Sequence, residues 1–451
     1  MNTITDIVQK LMAPAKHLHG VPIHGYLTEL TWLLFLKTAP AFEGAAHVPT
    51  HLTWEILTHK SGIEQYEYYQ KVIKELGQNR NPSIAGIYAD ARTSLKDSEQ
   101  LTQVITALAA IDTVSIDELG EVYEMLLEKC AYTEENNLYI APRSLVDFMT
   151  ILTQPQSGEM IQDPLAGTAS LVVAADQYIK ITSDEIFEIS LNKQKPKKQQ
   201  FIAIEPNLVR QRLGLMNCLL HQMDYSSMPI QWGDSLLSDR QTWPLADVIL
   251  SVLVFASEPA DELYKHDVSV ALLQHIYKTL KPGGRAAVVL PDKMLKATGP
   301  AQQVRTTLLD TCVLHTVLRL PKGIFYPHKV LAHVLFFKKA ETKNEKTETV
   351  WFYDSRTNLP TFGQYLHLTR EHLKPFEIVY GDDPLGQTTR VADGENGRWH
   401  CISRDSLSKQ GDRLDLCWLQ ETDENIVTED IWEMLYKTVE ELELLTDILR
   451  E

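Results

Sequence analysis

At 451 residues, with 44% apolar and 23% charged residues, the chain is an ordinary folded polymer too long for one small core, so two or three domains are expected. Its five cysteines (Cys130, Cys218, Cys312, Cys401, Cys417) form no CxxC pair, which argues against zinc and against a disulfide framework and suits a reducing cytoplasm. The formal net charge of −17 is that of a soluble acidic protein, or of one whose grip on nucleic acid relies on a local basic patch or a basic partner.

Taken in chain order, Met1-Asn2-Thr3-Ile4-Thr5-Asp6 has no basic stretch leading into an apolar one, so no secretory signal is expected. The apolar run Trp32–Leu36 is too short to span a bilayer. Residues 1–118 read as a helical domain. Within it, Gly25–Lys37 carries Leu27, Leu30, Leu33 and Leu34 at the spacing of a buried helix, and Leu119–Cys130 is a further amphipathic helix. From about 140 to 340 short apolar strands alternate with helices. The expected strands are Met160–Asp163, Phe201–Glu205, Ile230–Asp234, Asp247–Leu250, Arg285–Leu290 and Leu331–Phe337, with a helix over Leu208–His221 and a tight turn at Lys281–Gly284. Such alternation predicts an α/β fold with a parallel, doubly wound sheet covered on both faces. The basic run Lys193–Lys198 reads as a solvated loop. Residues 401–451 form a tail that ends in an acidic helix from Glu429, whose Ile431, Leu435, Val439, Leu442, Leu445 and Leu449 share one face. That face packs on the protein's own core or on a partner helix.

The segment Asp163-Pro164-Leu165-Ala166-Gly167-Thr168-Ala169-Ser170-Leu171 looks like the strand-to-helix turn of a nucleotide-type cofactor site. In an open parallel sheet ligands bind at the carboxyl ends of the strands. Gly167 lets the backbone turn and approach a ligand. Glu205, closing the next strand, is placed to take both ribose hydroxyls, and Asp234, after the third, to accept from an adenine amino group. A glycine after a strand is by itself more often a plain turn; three such signals in the right order are more specific.

Together these residues resemble the modification (M) subunit of type I restriction–modification systems, a DNA adenine-N6 methyltransferase that uses S-adenosylmethionine. Gly25–Lys37 resembles the family's N-terminal helix. Tyr139-Ile140-Ala141-Pro142-Arg143 resembles its Tyr-Phe-Thr-Pro-Arg cofactor segment, and Asp163–Leu171 its Asp-Pro-Ala-Cys-Gly-Thr-Gly-Gly-Phe turn. Glu205 with Leu215-Met216-Asn217, Leu280–Asp292, Leu320–Phe325 and Asp412–Leu416 match further family segments. The resemblance implies a class I methyltransferase, Rossmann-like domain over 119–400, between the helical domain and the tail. It implies cofactor contacts from Tyr139, Ala141, Pro142, Arg143, Asp163, Gly167, Thr168, Ala169, Ser170, Glu205 and Asp234, and no metal. It also implies a cytoplasmic complex with a specificity subunit, a second M-like subunit, a restriction subunit and double-stranded DNA, in phage defence.

Where the family's catalytic loop reads Asn-Pro-Pro-Phe, this chain has Val252-Leu253-Val254-Phe255. In the family the Asn side chain and a backbone carbonyl accept from the target amino group, and the aromatic stacks on the flipped base. Valine offers no acceptor, and losing one such contact costs ~10²–10³ in rate. Ala141 replaces a threonine, and Ala169-Ser170 replace two glycines where a β-carbon would crowd the methionine moiety. Two readings follow: drift in a chain that still binds cofactor, or a pseudo-enzyme retained as a structural subunit of a DNA-modification or phage-defence complex.

Overall fold

The computed structural model of the protein describes residues 3–42, 48–131, 138–182, 200–223, 229–237, 243–254, 268–326 and 328–421, with Ile431, Met434, Leu435 and Thr438. Two compact units make up the chain, both discontinuous in sequence. One comprises Met1–Arg143, Asp163–Lys195 and Phe201–Ser238; the other comprises Ser144–Gln162, Pro196–Gln200 and Asp239–Glu451.

The first unit opens with helices α1 (Ile4–Met12), α2 (Ile23–Thr38), α3 (Trp54–His59), α4 (Gly62–Leu76), α5 (Pro82–Ile87), α6 (Ser98–Ala107) and α7 (Ile116–Ala131). Their starts are written in the sequence. Thr3 and Asp6 form a capping box, and Asn81 and Asp97 cap α5 and α6. Helix α2 is buried on nearly every side, as an all-round apolar helix must be. After a gap in chain order come α9 (Ser170–Thr182), β2 (Gln200–Glu205), α10 (Leu208–Leu220) and β3 (Gln231–Trp232). Strands β2 and β3 are parallel, with Ile204 opposite Gln231 and Glu205 opposite Trp232. The third expected strand is thus only two residues long, because Gly233 (φ 158°) and the Asp234 turn take the chain out of the ladder. One hydrophobic core runs from Ile7, Leu30, Phe35 and Tyr123 to Ala169, Val172, Leu213 and Ile230. Arg212 of α10 pins this union. Its Nε donates to the Ile87 carbonyl (2.7 Å) and its Nη2 to the Ala89 carbonyl (2.5 Å), and its guanidinium lies 4.9 Å from the Trp32 ring centroid.

The second unit carries α8 (Arg143–Thr153), which starts at the last residue of the first, and the strands β1 (Met160–Asp163), β4 (Ala246–Val252), β5 (Leu280–Pro291), β6 (Cys312–Arg319), β7 (Ala332–Lys339), β8 (Thr349–Asp354) and β9 (Trp399–Ser403). They lie in the order β1-β4-β5-β7-β6-β8-β9. The expectation of a wholly parallel sheet is corrected here. Strands β1, β4 and β5 are parallel, but β7 runs antiparallel to both β5 and β6, and β9 antiparallel to β8. Lys281–Gly284, expected as a turn before a strand, lies within β5 as an irregularity. Ala246 pairs with Leu280 and Val248 already with Arg285, while Gly283 takes a φ of 80°. Farther along, Gly386 lies against the buried His315 ring. Arg390 donates to Thr316 Oγ1 (2.8 Å) and lies over the rings of Tyr380 and Trp399, at 4.8 and 5.6 Å.

Among the described residues no helix is long and apolar enough to cross a membrane. The basic run Lys193–Lys198 and most of the expected C-terminal helix lie outside them. Ile431, Met434 and Leu435, which are described, are exposed.

Candidate functional site

The turn after β1 is made by its own sequence. Asp163 is buried, and its Oδ1 accepts the Leu165 N–H at 3.0 Å, an Asx turn that reverses the chain. Gly167 then adopts the left-handed region at φ 55° and Ala169 follows at φ 62°. The Ala169 carbonyl accepts the Val173 N–H (2.9 Å), which starts α9. Two bonds tie this turn to the chain at the ends of the neighbouring strands, and a third joins those strand ends to each other. Ala166 N–H donates to the Ile204 carbonyl (2.9 Å), Gly233 N–H to the Glu205 carbonyl (3.2 Å), and Ser235 Oγ to the Pro164 carbonyl (2.6 Å). Gly167, Glu205 and Asp234 are thereby gathered at one corner of the first unit.

Glu205 is fully buried and heavily engaged. Its Oε2 accepts the Gly167 N–H at 2.8 Å. Its Oε1 accepts the Asn207 N–H at 2.9 Å and Arg210 Nε at 2.8 Å, and Arg210 Nη2 stands 2.7 Å from it as an ion pair. A buried carboxylate is tolerated because it is both paired and hydrogen-bonded. The Arg210 guanidinium also lies 5.7 Å from the Tyr139 ring centroid, which brings Tyr139 to the same corner. Asp234 turns into its own loop, where Oδ1 accepts the Leu236 N–H at 2.8 Å. Beside it the exposed Trp232 donates its indole N–H to the Pro206 carbonyl at 2.9 Å.

Thr168 and Arg143 meet through a second, buried network. Asn217 Nδ2 donates to the Thr168 carbonyl (3.1 Å) and lies 3.5 Å from Glu124 Oε1. Glu124 of α7 is ion-paired with Arg143, and His221 Nε2 is 3.6 Å from its Oε2. Burial pushes the His221 imidazole down to about 4, so it is neutral at physiological pH. Pro142 is buried and Ala141 half-buried, and the hydroxyls of Thr168 and Ser170 are 3.2 Å apart. The methyl of Ala169 faces α10: it belongs to the hydrophobic core, 3.3 Å from where a β-carbon on Gly214 would stand. The crowding expected from this methyl is thus directed into the core.

An adenosyl group suits this corner in part. A β-carbon at Gly167 would meet nothing within 4 Å, so the turn is open there, and Glu205 supplies the acid at the strand end. Of its two oxygens, one holds a single donor among the described residues and the other two, with Arg210 Nη2 also against it. Arg210 went unnoticed in the sequence, although a signal exists. Asn207 caps α10, accepting from Val209 N and Arg210 N, and so places a cation in the first turn of a helix. The helix dipole disfavours a cation there unless an anion sits beside it.

In the second unit, Val252 closes β4 opposite Val289. Leu253 extends the pairing, its N–H donating to the Val289 carbonyl at 2.8 Å, a bond no proline could make. The Leu253 carbonyl in turn accepts from Ser269 Oγ at 3.2 Å. Leu253 and Val254 are buried, and Phe255 lies outside the described residues. At the end of β5, Asp292 accepts from His333 Nε2 (2.9 Å), Lys296 Nζ (2.8 Å) and Arg356 Nη1 (3.2 Å). These partners, His333 foremost, hold its carboxyl far below the usual range. Among the described residues, no three His, Cys, Asp or Glu side chains gather as metal ligands.

Residues 114–415 match the family model described as N-6 DNA Methylase. The methylase subunits of the type I restriction enzymes StySPI of Salmonella potsdam and EcoKI of Escherichia coli strain K12 are 34% identical to this chain, over 93% of it and 88% of each of them. The crystal structure of the EcoKI M protein superposes with a TM-score of 0.57 at 31% identity, covering 100% of this chain and 96% of that one. A chain from a structural study of type I restriction–modification complex assembly reaches a TM-score of 0.74 at 22% identity, over 99% and 96%, and shares the fold. S-adenosylmethionine as cofactor is consistent with these matches. The turn after β1, the buried acid closing β2 and the match along most of the sequence converge: the chain belongs to the N-6 DNA methylase family, among the methylase subunits of type I restriction enzymes.

Proposed function

We propose that this chain is an M-type subunit of a type I restriction–modification-like complex whose own methyl transfer to adenine N6 is impaired. In this reading it binds double-stranded DNA together with a specificity subunit, a second M-like subunit and a restriction subunit. The helical segment 1–118 and the tail 401–451 flank a methylase module over 119–400. Gly167, Thr168 and Glu205 would hold S-adenosylmethionine, with Tyr139, Ala141, Pro142, Arg143, Asp163, Ala169 and Ser170 forming or bracing the corner and Asp234 next to the adenine. When bound, the cofactor supplies the methyl group. The chain's own part is to orient and shield it, and to grip the target amino group.

That last task is where the residues fall short, and the observation that carries the reading is the Val252–Val254 segment. Its side chains offer no acceptor, Leu253 and Val254 are buried, and the Leu253 carbonyl already holds the Ser269 hydroxyl. An amino group losing electron density in the transition state needs acceptors in place. The same observation favours a second reading, in which the chain is a non-catalytic structural subunit of a DNA-modification or phage-defence complex. The test is transfer of radiolabelled methyl from S-adenosylmethionine to DNA by the assembled complex, with the unaltered chain and with Val252→Asn, Leu253→Pro and Val254→Pro combined. Little or no label is expected with the unaltered chain. Methylation by it at the rate of the EcoKI methylase complex would overturn the impairment.

A further inference from the structure

We propose that Arg210 is an internal competitor for the ribose of the cofactor and sets the affinity of this site for adenosyl ligands. The inference rests on the reading of Glu205 as the ribose acceptor and deepens it. A ribose diol is gripped best when its two hydroxyls reach the two oxygens of one carboxylate. An ionised carboxylate has about four lone-pair positions, two on each oxygen. On Glu205, Oε2 accepts only the Gly167 N–H among the described residues and so keeps a lone pair for one hydroxyl. Oε1 is full: the Asn207 N–H and Arg210 Nε donate to its two lone-pair positions, with Arg210 Nη2 2.7 Å away as an ion pair. The two backbone donors are fixed by the turn and by the cap of α10, so Arg210 is the one donor that side-chain rotation can remove. Its aliphatic stem starts in the first turn of α10, and the Tyr139 ring, 5.7 Å away, offers the displaced guanidinium a face. With Arg210 in place a ligand engages Glu205 through one hydroxyl; with Arg210 displaced it engages both. Binding therefore carries the cost of a charge-assisted pair whose carboxylate is fully buried.

Arg210 acts through Glu205, so it is a positioning residue, and the test must separate it from a general effect on folding. Calorimetric titration of the full chain with S-adenosylhomocysteine compares the unaltered protein, Arg210→Ala and Arg210→Lys, each checked for an intact thermal transition. Arg210→Ala is expected to bind on the order of tenfold tighter, the equivalent of one net hydrogen bond to a charged group. Arg210→Lys, which cannot place two donors on one oxygen, falls between. The gain is expected to vanish when Arg210→Ala is combined with Glu205→Gln, and, in a parallel titration, to be present with adenosine as the probe but absent with 2′,3′-dideoxyadenosine. If the unaltered chain binds and neither Arg210 variant tightens it, the role of Arg210 is overturned and the cofactor corner stands. A gain that persists without the ribose hydroxyls overturns it as well. If no form of the protein binds any adenosyl probe, both the inference and the cofactor reading fall.

Discussion

Ala169 illustrates how a residue's meaning depends on the direction of one bond. In the sequence it stands where a glycine is expected, and its β-carbon reads as an obstacle to the cofactor. In the fold its left-handed backbone carries the methyl into the core against α10, next to the position of Gly214. Ala169→Gly should therefore leave S-adenosylhomocysteine affinity within about twofold. Relief of left-handed strain and loss of a buried methyl, each about 1 kcal/mol, should nearly cancel in stability. Calorimetry and urea unfolding measure the two effects, and a tenfold gain in affinity would show that the methyl lines the pocket after all. Glu205 teaches the converse. Its position at a strand end was legible, whereas the donors that fill it were not, because they depend on where Asn207 starts a helix.

At the scale of elements, apolar runs located β1 to the residue and β2 within one residue. They missed β6, β8 and β9. Strand β6 is interrupted by His315 and Thr316, whereas β8 does carry a short apolar run, Val350–Tyr353, between two polar ends. Direction was lost too, since a two-sided buried strand has the same hydropathy whether its neighbour runs parallel or antiparallel. Helix α10 binds the first unit through Arg212, whose partners are backbone carbonyls that no sequence pattern names. Arg212→Leu leaves those carbonyls without the guanidinium and should lower the stability of this unit by about 2–4 kcal/mol, read as an earlier urea midpoint. An unchanged midpoint would mean that the Trp32 indole N–H, which also donates to Ile87, suffices. In the second unit, burial, with the charges of Arg390 and Lys338 nearby, pushes the His315 imidazole down to about 3. Its unfolded value is about 6.5, so the unfolded chain takes up a proton first as pH falls. Stability from this group is complete above about pH 6.5 and is lost as pH drops toward 3. Urea midpoints of the unaltered chain should fall across that window, and those of His315→Phe should fall less; parallel slopes would acquit His315.

For the whole molecule, the charge of −17 and the family membership fit a chain that works in a complex. Overall charge opposes contact with DNA by this subunit alone, so partners must supply much of the phosphate neutralisation. The apolar stripe expected from Ile431 to Leu449 lies mostly outside the described residues, and its described members Ile431 and Leu435 are exposed. Truncation after Asp430 should leave thermal unfolding unchanged and abolish co-purification with the specificity subunit. Retention of the partner, with unchanged mass by light scattering, would move the assembly contact elsewhere.

The single core shared by the N-terminal helices and the turn-bearing segment has a consequence for how the chain is made. Residues up to 143 leave the ribosome without the side chains, from Ala166 to Ile230, that complete their interior. At about 5–20 residues per second, those arrive several seconds or more after the last of α7. During that interval the side of the N-terminal interior that later packs on α10 lacks its cover, and the shared core is complete only once Ile230 has been synthesised.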